Sequence, residues 1–299
     1  MFSISVKKSC VLIAGGDGLH KEIYDTVEVI SGSPNFRIEL PSLPNKISGC
    51  SLFIHNGSLM VCGSLNINGR KCYQLIDGKW KEHSMLNRKK YRASAVPTEK
   101  GIFLFGGVPC NSYTYEYLPN DPTSTNWKVG KTQIPGGFEF GCAIEVKSKQ
   151  QIWLIGGHMK NENRILTFDI NSETFQTLPS KLIIERSSFA CAFIPGTSKI
   201  IVTGGIFGHH RNCITEIIDT EDGSVTIGGS LNIGRSVHAM GMITVEGKER
   251  LAVLGGVNGH RVFEDTIELY DVEKDQWEMA NIKMNKPKLS FGCVTVKAL

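Results

Sequence analysis

Residues 251–256 read LAVLGG, and the same element recurs along the whole chain, so it is the main evidence for the fold. An apolar run followed by two glycines also ends at four other positions: VLIAGG at Gly16, IFLFGG at Gly107, IWLIGG at Gly157 and IIVTGG at Gly205. LMVCG at Gly63 is a sixth copy, in which we interpret Cys62 as replacing the first glycine. Successive copies are 44 to 51 residues apart. A period near 50 residues is typical of β-propellers, in which each repeat forms one four-stranded blade.

Three further markers keep the same period. An aromatic residue, or Val225 in its place, follows late in each unit: Phe36, Trp80, Trp127, Phe175, Val225 and Trp277. A small residue lies inside an alternating strand: Gly49, Ala93, Gly141, Ala190, Ala239 and Gly292. A pair resembling Tyr-Asp occurs as Phe168-Asp169, Ile218-Asp219 and Tyr270-Asp271. The small residue suits a strand crowded around a central axis, and the aromatic can fill the wedge between adjacent blades.

Six copies of each main marker predict an all-β, six-bladed propeller that occupies 1–299 as a single domain. The predicted repeats are 10–45 plus 288–297, 46–87, 88–135, 136–182, 183–232 and 233–284. The segment 289–296, LSFGCVTV, resembles an inner strand with no glycine pair after it, so we expect it to close blade one. The segment 2–6 also alternates and is the competing candidate for that strand.

The composition is that of a globular protein. Of 299 residues, 41% are hydrophobic and 21% are charged, while glycine is frequent at 32. The net charge of +4 does not indicate a general polyanion binder, and no apolar run is long enough to span a membrane. We find no secretory signal in the first residues, so we expect a cytoplasmic protein whose nine cysteines are reduced.

The combination of the inner small residue, the apolar run with Gly-Gly, the Tyr-Asp-like pair and the late Trp resembles the kelch family, over essentially the whole chain. The departures are Cys62-Gly63, Val225 and the weak Tyr-Asp pairs of the first three units. The resemblance implies a protein-binding module. In many members the propeller follows BTB and BACK domains and recruits substrates to a cullin ubiquitin ligase, whereas others bind actin. No helical segment of the BTB or BACK type precedes residue 10, so the chain could equally be a part of a longer adaptor or a separate binder.

Enzyme motifs do not stand out in the sequence. GxSxG, HExxH and a P-loop are absent. Cys50, Cys142, Cys191 and Cys293 each follow the inner small residue and could ring a channel, but we interpret them as small buried side chains and not as metal ligands. We therefore predict no catalytic residues, no metal and no cofactor. A kelch-type enzyme such as a sugar epimerase is the less favoured alternative.

The loops give the strongest functional signal. The six windows that lead into the inner strands, 45–48, 86–92, 135–139, 182–187, 231–237 and 283–288, contain ten Lys or Arg against two Glu. Lys89, Arg186, Arg235 and Lys288 each lie four residues before the small residue, so we assign them a structural role. Six basic residues outside that phase and two histidines are the predicted partner-binding residues: Arg88, Lys90, Arg92, Arg164, His210, Arg211, His260 and Arg261.

A basic loop face with nearby aromatic residues suits an acidic, extended peptide, because arginine binds a carboxylate through two hydrogen bonds. The first hypothesis is therefore a non-enzymatic adaptor for an acidic motif, of the cullin-ligase type. Actin binding is the alternative, and we predict neither nucleic acid nor membrane as a partner because no stacking platform or spanning segment is evident.

Overall fold

The structure is a computed structural model that describes residues 8–33, 38, 40–66, 69–108, 113–157 and 162–297. It is a six-bladed β-propeller built from antiparallel sheets. The innermost strands are Gly292–Val296 in blade one, then Ser51–His55, Ser94–Thr98, Cys142–Val146, Ala190–Phe193 and Ala239–Val245. The second strands are Cys10–Ala14, Ser58–Cys62, Gly101–Phe105, Gln151–Ile155, Lys199–Thr203 and Lys248–Leu254.

The third and outer strands complete the blades. The third strands are Val27–Ile30, Lys71–Ile76, Tyr115–Pro119, Arg164–Asp169, Thr215–Asp219 and Thr266–Asp271. Blades two to six have outer strands at Lys79–Met85, Lys128–Val129, Thr174–Lys181, Val225–Gly228 and Gln276–Lys283, while the described part of blade one has three strands. Short strands add Ile206–Phe207 paired with His210–Arg211, and Arg235–Ser236 paired with Val257–Asn258. The described residues include 3-10 helices at Leu19–Lys21 and Lys147–Lys149, and none of the described helices is long and apolar enough to cross a membrane.

The carboxyl-terminal strand closes blade one, as the sequence predicts. It pairs antiparallel with the second strand, from Cys10 opposite Val296 to Ala14 opposite Gly292. The competing segment 2–6 lies outside the described residues. Pairing the two ends of the chain in one sheet joins the first and last blades, so the ring leaves few exposed sheet edges.

The core lies between neighbouring blades. The second strand of blade one is wholly buried, as its run of apolar residues predicts. Two of the late aromatic residues show how this marker fills the wedge between blades. Trp127 of blade three meets Phe53 of blade two edge-to-face, with ring centroids 6.4 Å apart. Trp277 of blade six packs in one cluster with Ile194 and Ile201 of blade five. These contacts confirm the expected role of the aromatic marker.

The glycine pair is required by close backbone contacts. A Cβ on Gly106, which has a φ of 63°, would lie 1.8 Å from the carbonyl oxygen of Phe138. In blade two, Gly63 makes the equivalent approach to the carbonyl of Lys90, and the amide of Ser64 donates to the same oxygen. The expectation that Cys62 replaces the first glycine is therefore wrong, because Gly63 occupies that position and Ser64 replaces the second glycine.

Two disulfides contradict the expectation that all cysteines are reduced. Cys62 and Cys72 are bonded across two neighbouring strands of blade two. Cys142 and Cys191 join the inner strands of blades four and five, with their Cα atoms 6.0 Å apart. Cys50 and Cys293 are free thiols, and burial raises the pKa of each to about 12. Two of the four inner-strand cysteines are therefore covalently paired and two are buried thiols.

Candidate interaction face

One end of the propeller is formed by two sets of loops, which we call the loop face. One set leads into each inner strand, and the other follows the glycine pair of each second strand. The two sets meet in short antiparallel bridges, such as Asp17 with Leu289, Tyr91 with Val108 and Ser187 with Ile206. These bridges hold the loops in fixed positions around the entrance of the central channel.

A ring of six residues in left-handed backbone conformation surrounds this entrance. They are Gly49, Arg92, Phe140, Ser188, Val237 and Ser290, with φ between 53° and 64°. Their peptide groups bond to one another, for example the amide of Arg92 to the carbonyl of Gly49 at 2.7 Å. L-residues seldom adopt this conformation, and a β-branched residue such as Val237 almost never does, so the surrounding contacts must impose it.

The ring gives the true alignment of the six blades. Relative to it, Gly49 lies in the ring, Ala93 and Gly141 lie one residue later, and Ala190, Ala239 and Gly292 lie two residues later. The small residues are therefore not equivalent, contrary to the prediction, because they meet different crowding in different blades. The basic position two residues before the ring is Lys90 in blade three, and not Lys89.

Four blades contain a buried pair of opposite charges at this basic position. Arg186 contacts Glu216 at 2.5 Å and Arg235 contacts Glu268 at 2.8 Å, with all four side chains fully buried. Lys288 lies 3.5 Å from Glu28. The acidic partners also accept backbone amides of the preceding loop, so each pair fastens that loop to the third strand.

Lys90 belongs to this buried set. Its ammonium donates to the carbonyl of Gly106 at 2.8 Å, and it is only 1% exposed. Burial lowers the pKa of Lys90 to about 8, and the charge of Glu116 opposes this shift. Glu116 in turn accepts the amides of Asn87 and Arg88. The prediction of a structural role was right for Arg186, Arg235 and Lys288, but it named Lys89 where the buried cation is Lys90.

In the other two blades, neither the basic position nor the acidic position holds a charged residue. Blade two has Ile47 at the basic position and Tyr73 at the acidic one, and blade four has Phe138 and Leu166. In blade four the buried Arg164 donates to the carbonyls of Pro135 and Gly137 instead. Arg164 is thus held inside the loop, and like Lys90 it is not available at the surface.

Arg92 is the central cation of the face. Its guanidinium donates from Nε to the hydroxyl of Ser290 at 3.0 Å and lies against the rings of Tyr91 and Phe140, at 5.0 and 5.4 Å from their centroids. Burial lowers the pKa of Arg92 from its usual value. A guanidinium does not lose its proton in proteins, so Arg92 is a fixed positive charge.

A pocket of about 170 Å³ opens at the channel entrance beside Arg92. Its lining is otherwise small, aromatic or neutral, and it includes Ser94, Ser188, Phe189 and His238. Burial lowers the pKa of His238 to about 3, and the nearby charge of Arg235 adds to the effect, so this imidazole is neutral. His238 Nε2 lies 3.1 Å from the hydroxyl of Thr203, while its buried Nδ1 has no partner within the described chain. The pocket therefore combines one cation with neutral hydrogen-bonding groups.

The remaining predicted residues lie on the rim. The side chain of Arg88 is exposed. His210 is exposed and Arg211 half-buried on the short hairpin of blade five, and the Arg211 Nε has no partner among the described residues. His260 and Arg261 are exposed on a turn of blade six, where Asn258 accepts both backbone amides. The structure thus brings Arg92, Arg88, His210, Arg211, His260 and Arg261 to one face, but not side by side.

Sequence reasoning missed the acidic side chains. The four buried glutamates lie at varying distances after the glycine pair, so no fixed spacing revealed them. The sequence feature that could have revealed these glutamates is a single Glu within an otherwise apolar third strand, as in TEIID of blade five. Within the described ranges, no group of three or more His, Cys, Asp or Glu side chains is arranged so that it could hold a metal ion.

Comparison with known proteins supports the fold. A family model of the Kelch motif matches residues 247–283, which contain the second, third and outer strands of blade six. The match lies within one blade of a six-bladed propeller, so the two observations together support a propeller built from kelch repeats. A search of the curated proteins found no match. This fold is typical of protein-interaction modules.

Proposed function

We propose that this propeller is a non-enzymatic interaction module that binds an acidic, extended segment of a partner protein across the loop face. Arg92 is the anchor for a carboxylate of that segment. The observation that supports this most directly is its position: a fixed cation, flanked by two aromatic rings, that lines the pocket at the channel entrance. A partly buried guanidinium binds a carboxylate more strongly than an exposed one, because water screens the pair less.

The cations on the rim have a different role in partner binding from that of Arg92. Arg88, Arg261 and His260 are exposed, so each adds a screened attraction that increases the association rate more than the affinity. Arg211 extends the basic surface along the hairpin of blade five. Lys90 and Arg164 have a structural role in this proposal, because their hydrogen bonds lie within the loops.

Selection from a randomised peptide library on the immobilised propeller tests this function. We expect the selected peptides to be rich in Asp and Glu and to bind less tightly as salt increases. The replacement Arg92→Gly keeps the left-handed backbone, since Gly49 occupies the same position in blade two, and it should abolish the selection. Lys199→Glu with Lys248→Glu, two exposed changes on the opposite end that lower the net charge by four, is the control for charge lost away from the loop face. Selection of peptides without acidic residues would refute the proposal.

In the biological role that the resemblance implies, the captured protein is a substrate that the module presents to a cullin ubiquitin ligase in the cytoplasm. Free-thiol counting on protein from its natural compartment tests this location. The two disulfides of the structure, Cys62–Cys72 and Cys142–Cys191, are unusual for the cytoplasm, so their presence in protein from its natural compartment would favour an oxidising location instead, and their absence would support the cytoplasm.

Actin is the alternative partner, because its acidic surface would also complement these cations. Co-sedimentation with actin filaments separates the two candidates. Binding to filaments that Arg92→Gly does not weaken would favour a cytoskeletal role over the peptide-binding one.

A further inference from the structure

Among the described residues, the loop face is divided into two sectors of opposite charge once the buried pairs are set aside. Over blades one to three, the exposed or half-exposed cations outnumber Asp17, Glu22 and Asp25; these cations are Lys21, Lys46, Arg70, Arg88, Lys89 and Lys286. Over blades four and five, the described loops carry Glu139 and Glu185 against Arg211. A partner with acidic residues alone would therefore meet repulsion on one side of the channel.

A groove of about 570 Å³ occupies the acidic sector between blades four and five. Glu162 and Glu185 contribute carboxylates to its lining, and the hairpin of blade five contributes Ile206 and Phe207. Glu185 is exposed, and Phe207 is 50% exposed. The exposed carboxylate of Glu185 beside this accessible aromatic ring attracts a cation both by its charge and by the negative face of the ring.

The groove continues from the central pocket. Arg92, Phe140 and Ser188 line both cavities, so a segment bound at Arg92 has a direct path into the groove. A carboxylate on the guanidinium of Arg92 would thus lie beside the place where a basic side chain meets Glu185. The two sites suit neighbouring residues of one extended chain.

We propose that this groove binds a Lys or Arg side chain of the same partner segment whose acidic residue contacts Arg92. The inference rests on the proposed function and deepens it: the recognised motif contains both charges, and their order fixes the direction in which the segment crosses the face. The acidic end lies towards blades one to three, and the basic residue lies over the groove. Charge complementarity in both sectors gives selectivity against purely acidic chains.

A library in which one Glu is fixed and its neighbours are randomised tests the proposal. On the unmodified chain we expect Lys or Arg to be enriched at one position, on one side of the fixed Glu. On the variant Glu185→Lys the preference at that position should invert to Asp or Glu. For one selected peptide, Glu185→Lys should weaken binding about tenfold, and the peptide with its basic residue changed to Glu should recover that affinity.

The control is Glu221→Lys, an exposed change at the opposite end of blade five, which should leave the selected sequences unchanged. Glu185→Gln serves as a second, milder variant if the reversed charge disturbs the loop. Peptides that bind through Arg92 but show no basic preference, or an unaltered one in Glu185→Lys, would overturn this inference and leave the proposed function standing. Peptides that bind equally well to Arg92→Gly, or no binding at all, would overturn both.

Discussion

Buried pairs of opposite charge fix the loop that precedes the inner strand in four of the six blades. Arg186 and Glu216 are fully buried, and Glu216 also accepts the amides of Ile183 and Ile184. Removing one partner leaves a buried charge without compensation, whereas removing both is far less costly. The same position is apolar on both sides in blade four, where it holds Phe138 and Leu166.

We therefore expect Glu216→Ala to lower the free energy of unfolding by about 3–5 kcal/mol. The double replacement Arg186→Phe with Glu216→Leu, which copies blade four, should cost clearly less than the sum of the two single changes. Urea unfolding at neutral pH measures these values, and the exposed Glu221→Ala is the control. Strictly additive losses would show that the two side chains act independently.

The neutral His238 makes stability depend on pH. Its folded-state pKa of about 3 lies below the value of about 6.5 for an unfolded histidine. Between these values the unfolded state binds a proton that the folded state does not. The free energy of unfolding therefore falls as the pH drops below about 6.5, by at most about 1.4 kcal/mol per pH unit.

Replacing His238 by Phe should remove this part of the acid sensitivity. Phe189 and Phe291 occupy the equivalent position in blades five and one, so the substitution has a precedent within the fold. Urea unfolding at pH 7, 6 and 5 should show that the variant loses less stability on acidification than the unmodified chain. Parallel pH profiles would contradict the burial of a neutral imidazole.

The sequence predicted which types of residue are important in the loops, but not how equivalent positions align between the six blades. Basic residues in phase with the repeat were correctly expected to be structural in three blades. Lys90 was misassigned because the small residue used as the reference shifts by up to two positions between blades. The net charge of the loops was overestimated for a related reason, since a count of formal charges cannot show that Glu116 or Glu216 neutralises a buried cation.

Individual strands were the easiest elements to predict. The apolar second strands are set by a short-range pattern that repeats in every blade, and the wedge aromatics by one that recurs in most units, so their positions follow from the sequence. The pairing of cysteines was not predictable, because it depends on the register between strands that are far apart in the chain. Cys142 and Cys191 are separated by 49 residues yet lie on adjacent inner strands.

The bond between Cys142 and Cys191 should stabilise the propeller more than the bond between Cys62 and Cys72. The first closes a span of 49 residues and the second a span of 10, and the longer loop loses more entropy when it is closed. We expect Cys142→Ala to cost about 2–4 kcal/mol under oxidising conditions, and Cys62→Ala about 1 kcal/mol less. Each cost should shrink when the unmodified reference is reduced with dithiothreitol, which serves as the control. Costs that reductant does not alter would mean that the bonds are not formed.

The carboxyl-terminal strand closes the ring of blades, and the stability of the whole molecule depends on it. Gly292–Val296 is the inner strand of blade one, and Lys288 pairs with Glu28 of the same blade. A chain truncated after residue 287 loses both, so we expect it to lack a cooperative unfolding transition. Deletion of residues 2–6 should leave the propeller folded. Thermal circular dichroism distinguishes the two variants, and a folded truncated chain would favour the amino-terminal segment as the closing strand.

The number of blades and the closure could be predicted from the sequence, because six in-phase copies leave little freedom in a ring. The division of the loop face into two charged sectors could not be predicted from the sequence. It arises from side chains that belong to different blades, and it becomes visible only after the buried pairs are removed from the count.

Titration calorimetry can test whether Arg92 anchors an acidic peptide on the loop face. It would measure the affinity of one selected acidic peptide for the unmodified chain, Arg92→Lys and Arg92→Gly at two salt concentrations. We predict that Arg92→Gly loses at least about tenfold in affinity and that Arg92→Lys recovers only part of it, because an ammonium lacks the paired donors of a guanidinium. The double variant Lys199→Glu, Lys248→Glu should bind like the unmodified chain. Equal affinity of all four proteins would contradict the assignment of Arg92 as the anchor of the loop face.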